Sequence, residues 1–219
     1  MKHMPHKYKF ICSEIWKGKS VLRAYLNFRL SKEKINGKTI DIGGGKNADY
    51  LSFMGRGSDV KFETFDIKAG QTSVDFETDR LPANDGVYET VLFLNVMEHI
   101  YNHQHIADEV VRITKAGGQL IGFVPFLMWY HPDHRDFFRY THEALEIIFS
   151  QPTIKSKVID VVGEGPFLAA AHMILLSFPR LLRPVVYTFL LCLDKLYKKI
   201  KGKKTRTYAL GYVFVLNIK

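Results

Sequence analysis

The sequence predicts a doubly wound α/β fold, a seven-stranded and mostly parallel sheet with helices between its strands. Three observations predict it. Strand-like and helix-like segments alternate along the 219 residues. The first strand runs directly into three glycines, in "TIDIGGGKNADY", residues 39–50. Four polar residues, Asp41, Asp66, Asp75 and Asn95, fall at the ends of predicted strands, where such sheets bind their ligands.

The elements follow in order. Residues 9–30 read as a helix, with Phe10, Ile15, Trp16, Leu22, Tyr25 and Leu26 at helical spacing, inside an N-terminal helical segment of residues 1–36. Asn36-Gly37 is a turn. Lys38 to Ile42 is the first strand, and a helix opens near Asn47. Residues 59–66 alternate Val60, Phe62 and Thr64 with charged residues and form the second strand. Residues 72–76 are a short third strand and 87–95 a buried fourth. A helix over 102–115 stops at Gly117-Gly118, and 119–126 is the fifth strand. Thr141 caps a helix that ends near Ser150. Residues 154–162 and 208–219 are two late strands. No repeat or low-complexity linker interrupts the chain, so 1–219 is expected as one domain with a helical insertion at 165–206.

Composition bounds the function. The chain is 47% hydrophobic and 24% charged, which is ordinary for a globular protein. The net charge of +9 is concentrated in 180–206, which holds nine Lys or Arg and one acid, Asp194. The remainder is nearly balanced, so no nucleic-acid groove is expected across the fold. Cys12 and Cys192 lie in apolar stretches and read as buried thiols in a reducing compartment. The N-terminus lacks the apolar core of a signal peptide, and a cytoplasmic location is expected, at the inner face of the membrane if the insertion touches lipid.

Gly43, Gly45 and Ala48 fit G-x-G-x-x-A, and Asp66 follows Gly45 at a dinucleotide-like spacing. Asp41 opposes a dinucleotide. A pyrophosphate about 4 Å from its carboxylate would cost about 4 kcal/mol at an effective dielectric near 20. The ammonium and sulfonium of S-adenosylmethionine would be attracted by the same acid. At these residues the chain resembles the class I S-adenosylmethionine-dependent methyltransferases, from about Lys38 to Ser150 and again in the last strand. "DIGGGKN" is similar to the family's D-x-G-x-G-x-G, with Asn47 in the last glycine's place. "FETFD", "VDFETDRLP", "LNVMEHI" and "RITKAGGQLIGFVP" resemble its later motifs in order. The resemblance implies a Rossmann-like fold and S-adenosylmethionine as cofactor. It implies Asp66 on the ribose hydroxyls, Asp75 on the adenine amino group, Phe76 against the ring and Asn95 at the methionine end. Asp66 and Asp75 have a lesser reading as turn caps, and Glu98 reads equally as a helix-start acid and His99 as a packing histidine.

"FLMWYHPDHRDFFRYTHEAL" (126–145) concentrates histidines, acids, arginines and aromatics after the fifth strand. It resembles a segment H-P-x-x-x-D-F/Y-x-R-F/Y-T of a methyltransferase type 11-like subgroup, many of whose members are linked to surface-polysaccharide synthesis. His131 and His134 are candidate bases for a hydroxyl nucleophile, and Asp136 a candidate to orient one of them. Asp136 and Arg139 also read as a structural pair that holds the loop. His131, Asp133, His134 and Asp136 match no strong metal-site spacing, so no metal is expected.

The insertion, "GPFLAAAHMILLSFPRLLRPVVYTFLLCLDKLYKKIKGKK" (165–204), is broken by Pro179 and Pro184. Its apolar stretches fall short of the roughly 20 residues a membrane span needs. Two helices and no transmembrane span are expected. They serve as a helical cap or dimer face, or as a peripheral membrane contact through 166–206. The expected activity is methyl transfer to a hydroxyl of a saccharide or lipid-linked glycan. The alternatives are a quinone or other lipid acceptor, an NAD-type oxidoreductase, and a non-catalytic S-adenosylmethionine-binding protein at the membrane surface.

Overall fold

The computed structural model describes residues 6–45, 48–65, 74–132, 135–201 and 207–219. In chain order it begins with helices α1 (Lys7–Trp16) and α2 (Val21–Leu30) and strands β1 (Lys34–Ile35), β2 (Lys38–Ile42), β3 (Gly55–Arg56), β4 (Lys61–Phe65) and β5 (Tyr88–Leu94). Helix α3 (His103–Ile113), strand β6 (Thr114–Pro125), helix α4 (His142–Ile148) and strand β7 (Ile154–Val162) follow. Helices α5 (Pro166–Ile174) and α6 (Arg183–Lys201) and strand β8 (Gly211–Ile218) complete the chain. The described residues divide into two compact units: 33–126 with 130–160 and 212–219, and the residues up to 32 with 127–129 and 161–211.

The first unit holds a sheet of six described strands in the order β4-β2-β5-β6-β8-β7. β4, β2, β5 and β6 are mutually parallel. Lys219 N–H donates to the Thr153 carbonyl and Leu210 N–H to that of Val162, so β8 runs antiparallel to β7. Val91, Leu92, Leu120, Ile121, Phe123, Val213 and Phe214 are fully buried. These near-continuous apolar runs belong to strands covered on both faces. The register places Ile42 beside Phe65 and Phe93, and Leu94 beside Phe123, which brings four carboxyl ends to one edge.

Four expectations change. The third strand does not form over its described part: Val74 and Asp75 are unpaired with the sheet and Phe76 opens a turn. Asp75 Oδ1 accepts the Glu77 N–H at 2.9 Å, and Asp79 Oδ2 accepts the Asp75 N–H at 2.9 Å, a local pattern that competes with strand pairing. The glycine turn leads to one 3-10 turn, Asp49–Ser52, rather than a long helix, because Tyr50 is drawn into the core to reach Asp41. The helix at 102–115 ends at Ile113, and β6 starts at Thr114 opposite Tyr88. The extra residues up to Gln119 bulge at Gly117, whose φ is +78°. Residues 9–30 form two helices, separated at Gly18 (φ +93°), and Ser20 Oγ caps the second on the Arg23 N–H. Asp66 and His134 lie outside the described residues.

Gly122 fixes the packing of β6 against β8. A Cβ at this position would lie 2.0 Å from the Phe214 ring, which itself packs on Phe149 at 4.7 Å. Gly122→Ala is expected to lower unfolding stability by about 1–3 kcal/mol through overpacking, read as a fall in the urea midpoint. An unchanged midpoint would show that Phe214 moves freely.

The second unit joins the N-terminal helices to the insertion. The Tyr25 and Tyr187 hydroxyls lie 3.0 Å apart in its core, and burial pushes the Tyr25 hydroxyl up to about 12. Asp194, the lone acid of the basic run, leaves α6 to accept the Phe167 and Leu168 N–H groups at 3.1 and 2.6 Å. It thereby caps α5 from another helix. Cys192 is exposed rather than buried, and Cys12 is half-buried.

His172 of α5 is 1% exposed, stacks on Trp129 at 4.8 Å and has no hydrogen-bond partner on either ring nitrogen among the described residues. Burial holds its pKa down to about 4. Below its ordinary value near 6.5 the unfolded chain takes a proton that the folded chain refuses. This contribution to stability is intact above about pH 6.5 and is lost as pH falls from there through about 4, about 3 kcal/mol in all. His172→Phe is expected to flatten that stretch of the stability–pH curve, and an unchanged slope would place the acid sensitivity elsewhere.

Candidate active site

The carboxyl ends of β2, β4 and β5 support two adjoining sets of residues. At the tip of β2, Asp41 is fully buried and accepts a hydrogen bond from the Tyr50 hydroxyl on Oδ2. Gly44 lies over that carboxylate, where a Cβ would come within 1.9 Å of Oδ2. Gly43 and Gly45 have φ of +79° and +62°, in the left-handed region that glycine tolerates. A Cβ on Gly43 would lie 2.5 Å from Val96 Cγ2. The first motif is thus bare backbone pressed against the tip of β5. Asp41 supports the turn from beneath rather than standing on its surface.

At the tip of β5, Asn95 takes φ +58°, a conformation Asn adopts more readily than most residues. Its backbone N–H is held by the Phe123 carbonyl at 3.0 Å. Phe76 is buried and stacks on Phe65 with centroids 5.7 Å apart. Asp75 is exposed and serves its own turn. Glu77, which the sequence reading passed over, accepts the Tyr101 and Asn102 N–H groups at 2.9 and 2.6 Å. It caps α3 from outside, a role no local spacing announces.

The second set joins the turn after β5 to the loop after β6. The Glu98 carbonyl accepts the Phe137 N–H at 2.9 Å, and His99 Nδ1 bonds the Arg135 carbonyl. The Tyr140 hydroxyl donates to the Met97 carbonyl at 3.0 Å. These bonds bring His131 beside His99, with ring centroids 5.2 Å apart. Asp136 is buried beneath them. It accepts both terminal nitrogens of Arg139, at 2.5 and 2.7 Å, and the His131 N–H at 2.9 Å. Its Oδ2 lies 3.4 Å from His131 Nδ1. The Arg139 guanidinium holds the Asp136 carboxyl down to about 2. Both Asp136 oxygens are therefore engaged within the loop. Burial lowers the His131 pKa, which keeps its imidazole neutral near pH 7, and pushes the Glu98 carboxyl well above the usual carboxylate range.

The structure places Asp136, a sequence candidate for orienting a histidine, beside His131. The sequence leaves Glu98 and His99 as bland packing residues, yet both face that pair. A separate groove of about 870 Å³ lies near the amino ends of β2 and β5. There Lys38 already pairs with Glu63, which also accepts the Tyr88 hydroxyl.

Residues 41–122 match the family model described as a methyltransferase domain. The chain resembles that family over these 82 of its 219 residues. It is an enzyme whose cofactor is S-adenosylmethionine, and the bare glycine turn at 43–45 fits a cofactor laid against its backbone. Among solved structures, this methyltransferase is similar to an S-adenosylmethionine-dependent methyltransferase from Archaeoglobus fulgidus. That match has 14% identity over 96% of this chain and 99% of the other, at a TM-score of 0.55. It is also similar to Haemonchus contortus phosphoethanolamine N-methyltransferase 2 in complex with S-adenosyl-L-methionine, at 15% identity and TM-score 0.52. There the match takes in 100% of this chain and 58% of that one. The cyclase SpnF matches at 10% identity and TM-score 0.54, over 90% of this chain and 81% of that one. At such identities the likeness shows the fold, and one fold hosts several chemistries. A comparison with curated protein sequences finds no match.

Proposed function

We propose that this methyltransferase transfers a methyl group to a hydroxyl of a saccharide or lipid-linked glycan, at a membrane surface. The supporting observation is the convergence of Glu98, His99 and His131 at the carboxyl edge that also carries the glycine turn. Bound S-adenosylmethionine supplies an electrophilic methyl group. A hydroxyl is a weak nucleophile until it loses its proton, and the cluster offers the neutral His131 imidazole for that activation. Asp136 and Arg139 lock the loop, which fixes the approach of the acceptor.

The membrane part rests on α6. No helix among the described residues is long and apolar enough to cross a membrane. Leu181, Val185, Phe189, Leu196 and Ile200 are nevertheless 55–71% exposed, at spacings that put those on α6 along one face. Lys195, Lys198 and Lys199 are exposed among them. An apolar stripe flanked by lysines suits an anionic bilayer surface. The same stripe suits a quinone or another lipid as acceptor, which is the second reading.

Two experiments test this. A methyl-label transfer screen over nucleotide sugars, lipid-linked glycans and quinones should label a glycan, and labelling of quinones alone would overturn the acceptor assignment. The protein should co-sediment with anionic liposomes and lose most binding in high salt, with Phe189→Glu weakening it about tenfold or more. Equal sedimentation by this variant, or no binding at low salt, would remove the membrane role.

A further inference from the structure

We propose that Glu98, His99 and His131 form a binding site for one borderline divalent transition-metal ion of the Zn²⁺, Co²⁺ or Mn²⁺ class. The inference rests on the methyl-transfer reading for its purpose but not for its geometry. One ligand atom from each of the three residues lies within 4.8 Å of the other two, and His99 Nε2 stands 3.9 Å from Glu98 Oε1. Ligand atoms in a tetrahedral zinc site are separated by about 3.4 Å, so small side-chain rotations close the set.

Three features distinguish this cluster from a chance gathering of polar groups. The Glu98 side chain is fully buried, and its Oε2 has no hydrogen-bond partner among the described residues. A buried carboxylate oxygen in that condition requires a proton or a cation. The nearest guanidinium, that of Arg139, is directed by two bonds to Asp136. His99 is also backed by an acceptor, the Arg135 carbonyl on its Nδ1, and the Asp136 carboxylate stands 3.4 Å from His131 Nδ1 without a hydrogen bond. Metal-ligating imidazoles carry such outer partners, which fix tautomer and ring orientation. The outer partners and His131 come from the loop after β6, while Glu98 and His99 come from the turn after β5.

Two imidazoles and one carboxylate suit Zn²⁺, Co²⁺ or Mn²⁺ better than Mg²⁺ or Ca²⁺, which prefer all-oxygen sites. Three protein ligands leave a coordination position for the acceptor. A hydroxyl bound there loses its proton to water more readily. Its oxygen lone pair then forms the bond to the methyl carbon, and the electron pair of the broken sulfur–carbon bond stays on sulfur.

The test uses the full chain, freed of metal with a chelator and titrated with Co²⁺ alone. Visible d–d absorption should rise to saturation at one ion per chain. Glu98→Gln and His99→Asn should each weaken binding at least about tenfold. His131→Ala, at a half-buried position, should do the same while keeping the wild-type circular dichroism. Mg²⁺ should not compete. Absence of a d–d spectrum in the wild type, or equal titration by wild type and His131→Ala, would overturn the site. Calorimetry with S-adenosylmethionine on the same samples separates the two readings. Cofactor binding without Co²⁺ binding sinks the metal site alone, and Co²⁺ binding without cofactor binding sinks the methyl-transfer reading alone.

Discussion

Gly43→Ala is expected to weaken S-adenosylmethionine binding at least about thirtyfold, measured by calorimetry on protein that remains folded. Two independent costs converge at this residue. Its φ of +79° is left-handed, and an L-residue there costs about 1–2 kcal/mol. Its Cβ would sit 2.5 Å from Val96 Cγ2, and Val96 is itself buried at the tip of β5, so relief comes only by lifting the turn off the sheet. Overpacking of this kind costs about 1–3 kcal/mol. A total near 2 kcal/mol or above corresponds to the stated factor if it falls on the bound conformation, since 1.4 kcal/mol is tenfold. Gly44→Ala gives a second reading of the same turn, because its Cβ would press on the Asp41 carboxylate that Tyr50 holds. Wild-type affinity in both variants would show that the cofactor does not lie on this turn.

The sequence was most informative where local chemistry and global topology agree. β2, β5 and the core of β6 are apolar runs bounded by turn residues, and the parallel order of β5 and β6 follows from α3 between them. The glycine turn was legible because positive φ and close approach both demand glycine. What was not legible depends on contacts between segments distant in sequence. Tyr50 shortens the helix expected near Asn47 because its hydroxyl finds Asp41, a choice made by burial and not by propensity. Asp194 reads as one acid in a basic run until its carboxylate is seen on the α5 N-terminus.

The candidate site divides in the same way. "LNVMEHI" and "HPDHRDFFRYT" lie more than thirty residues apart, and neither alone has metal or base spacing. The bond from Phe137 to the Glu98 carbonyl and that between His99 and Arg135 join them. Only then does Glu98 change from a helix-start acid into a buried carboxylate facing two imidazoles. The pairing of Asp136 with Arg139, three residues apart, was visible in the sequence. That the same carboxylate also holds His131 was not visible, because the backbone N–H it captures carries no residue identity.

Asp136→Asn is accordingly the substitution in this loop with the largest expected consequence. The carboxylate is 1% exposed and serves Arg139 twice and the His131 N–H once. Asparagine keeps the shape but replaces one acceptor with a donor, and it leaves the guanidinium without its counter-charge. Removing one partner of a buried ion pair costs about 3–5 kcal/mol. The Arg139 side chain retains 23% exposure, so the lower part of that range is expected in the urea midpoint. Methyl transfer should fall about a hundredfold in kcat with S-adenosylmethionine affinity changed less than about threefold, because the glycine turn lies on a different segment. Arg139→Lys should reproduce much of the loss, since an ammonium cannot make the paired contacts of the guanidinium fork. A variant that loses cofactor affinity in step with kcat would instead show that the loop shapes the cofactor pocket, and the separation between a binding turn and an activating loop would not stand.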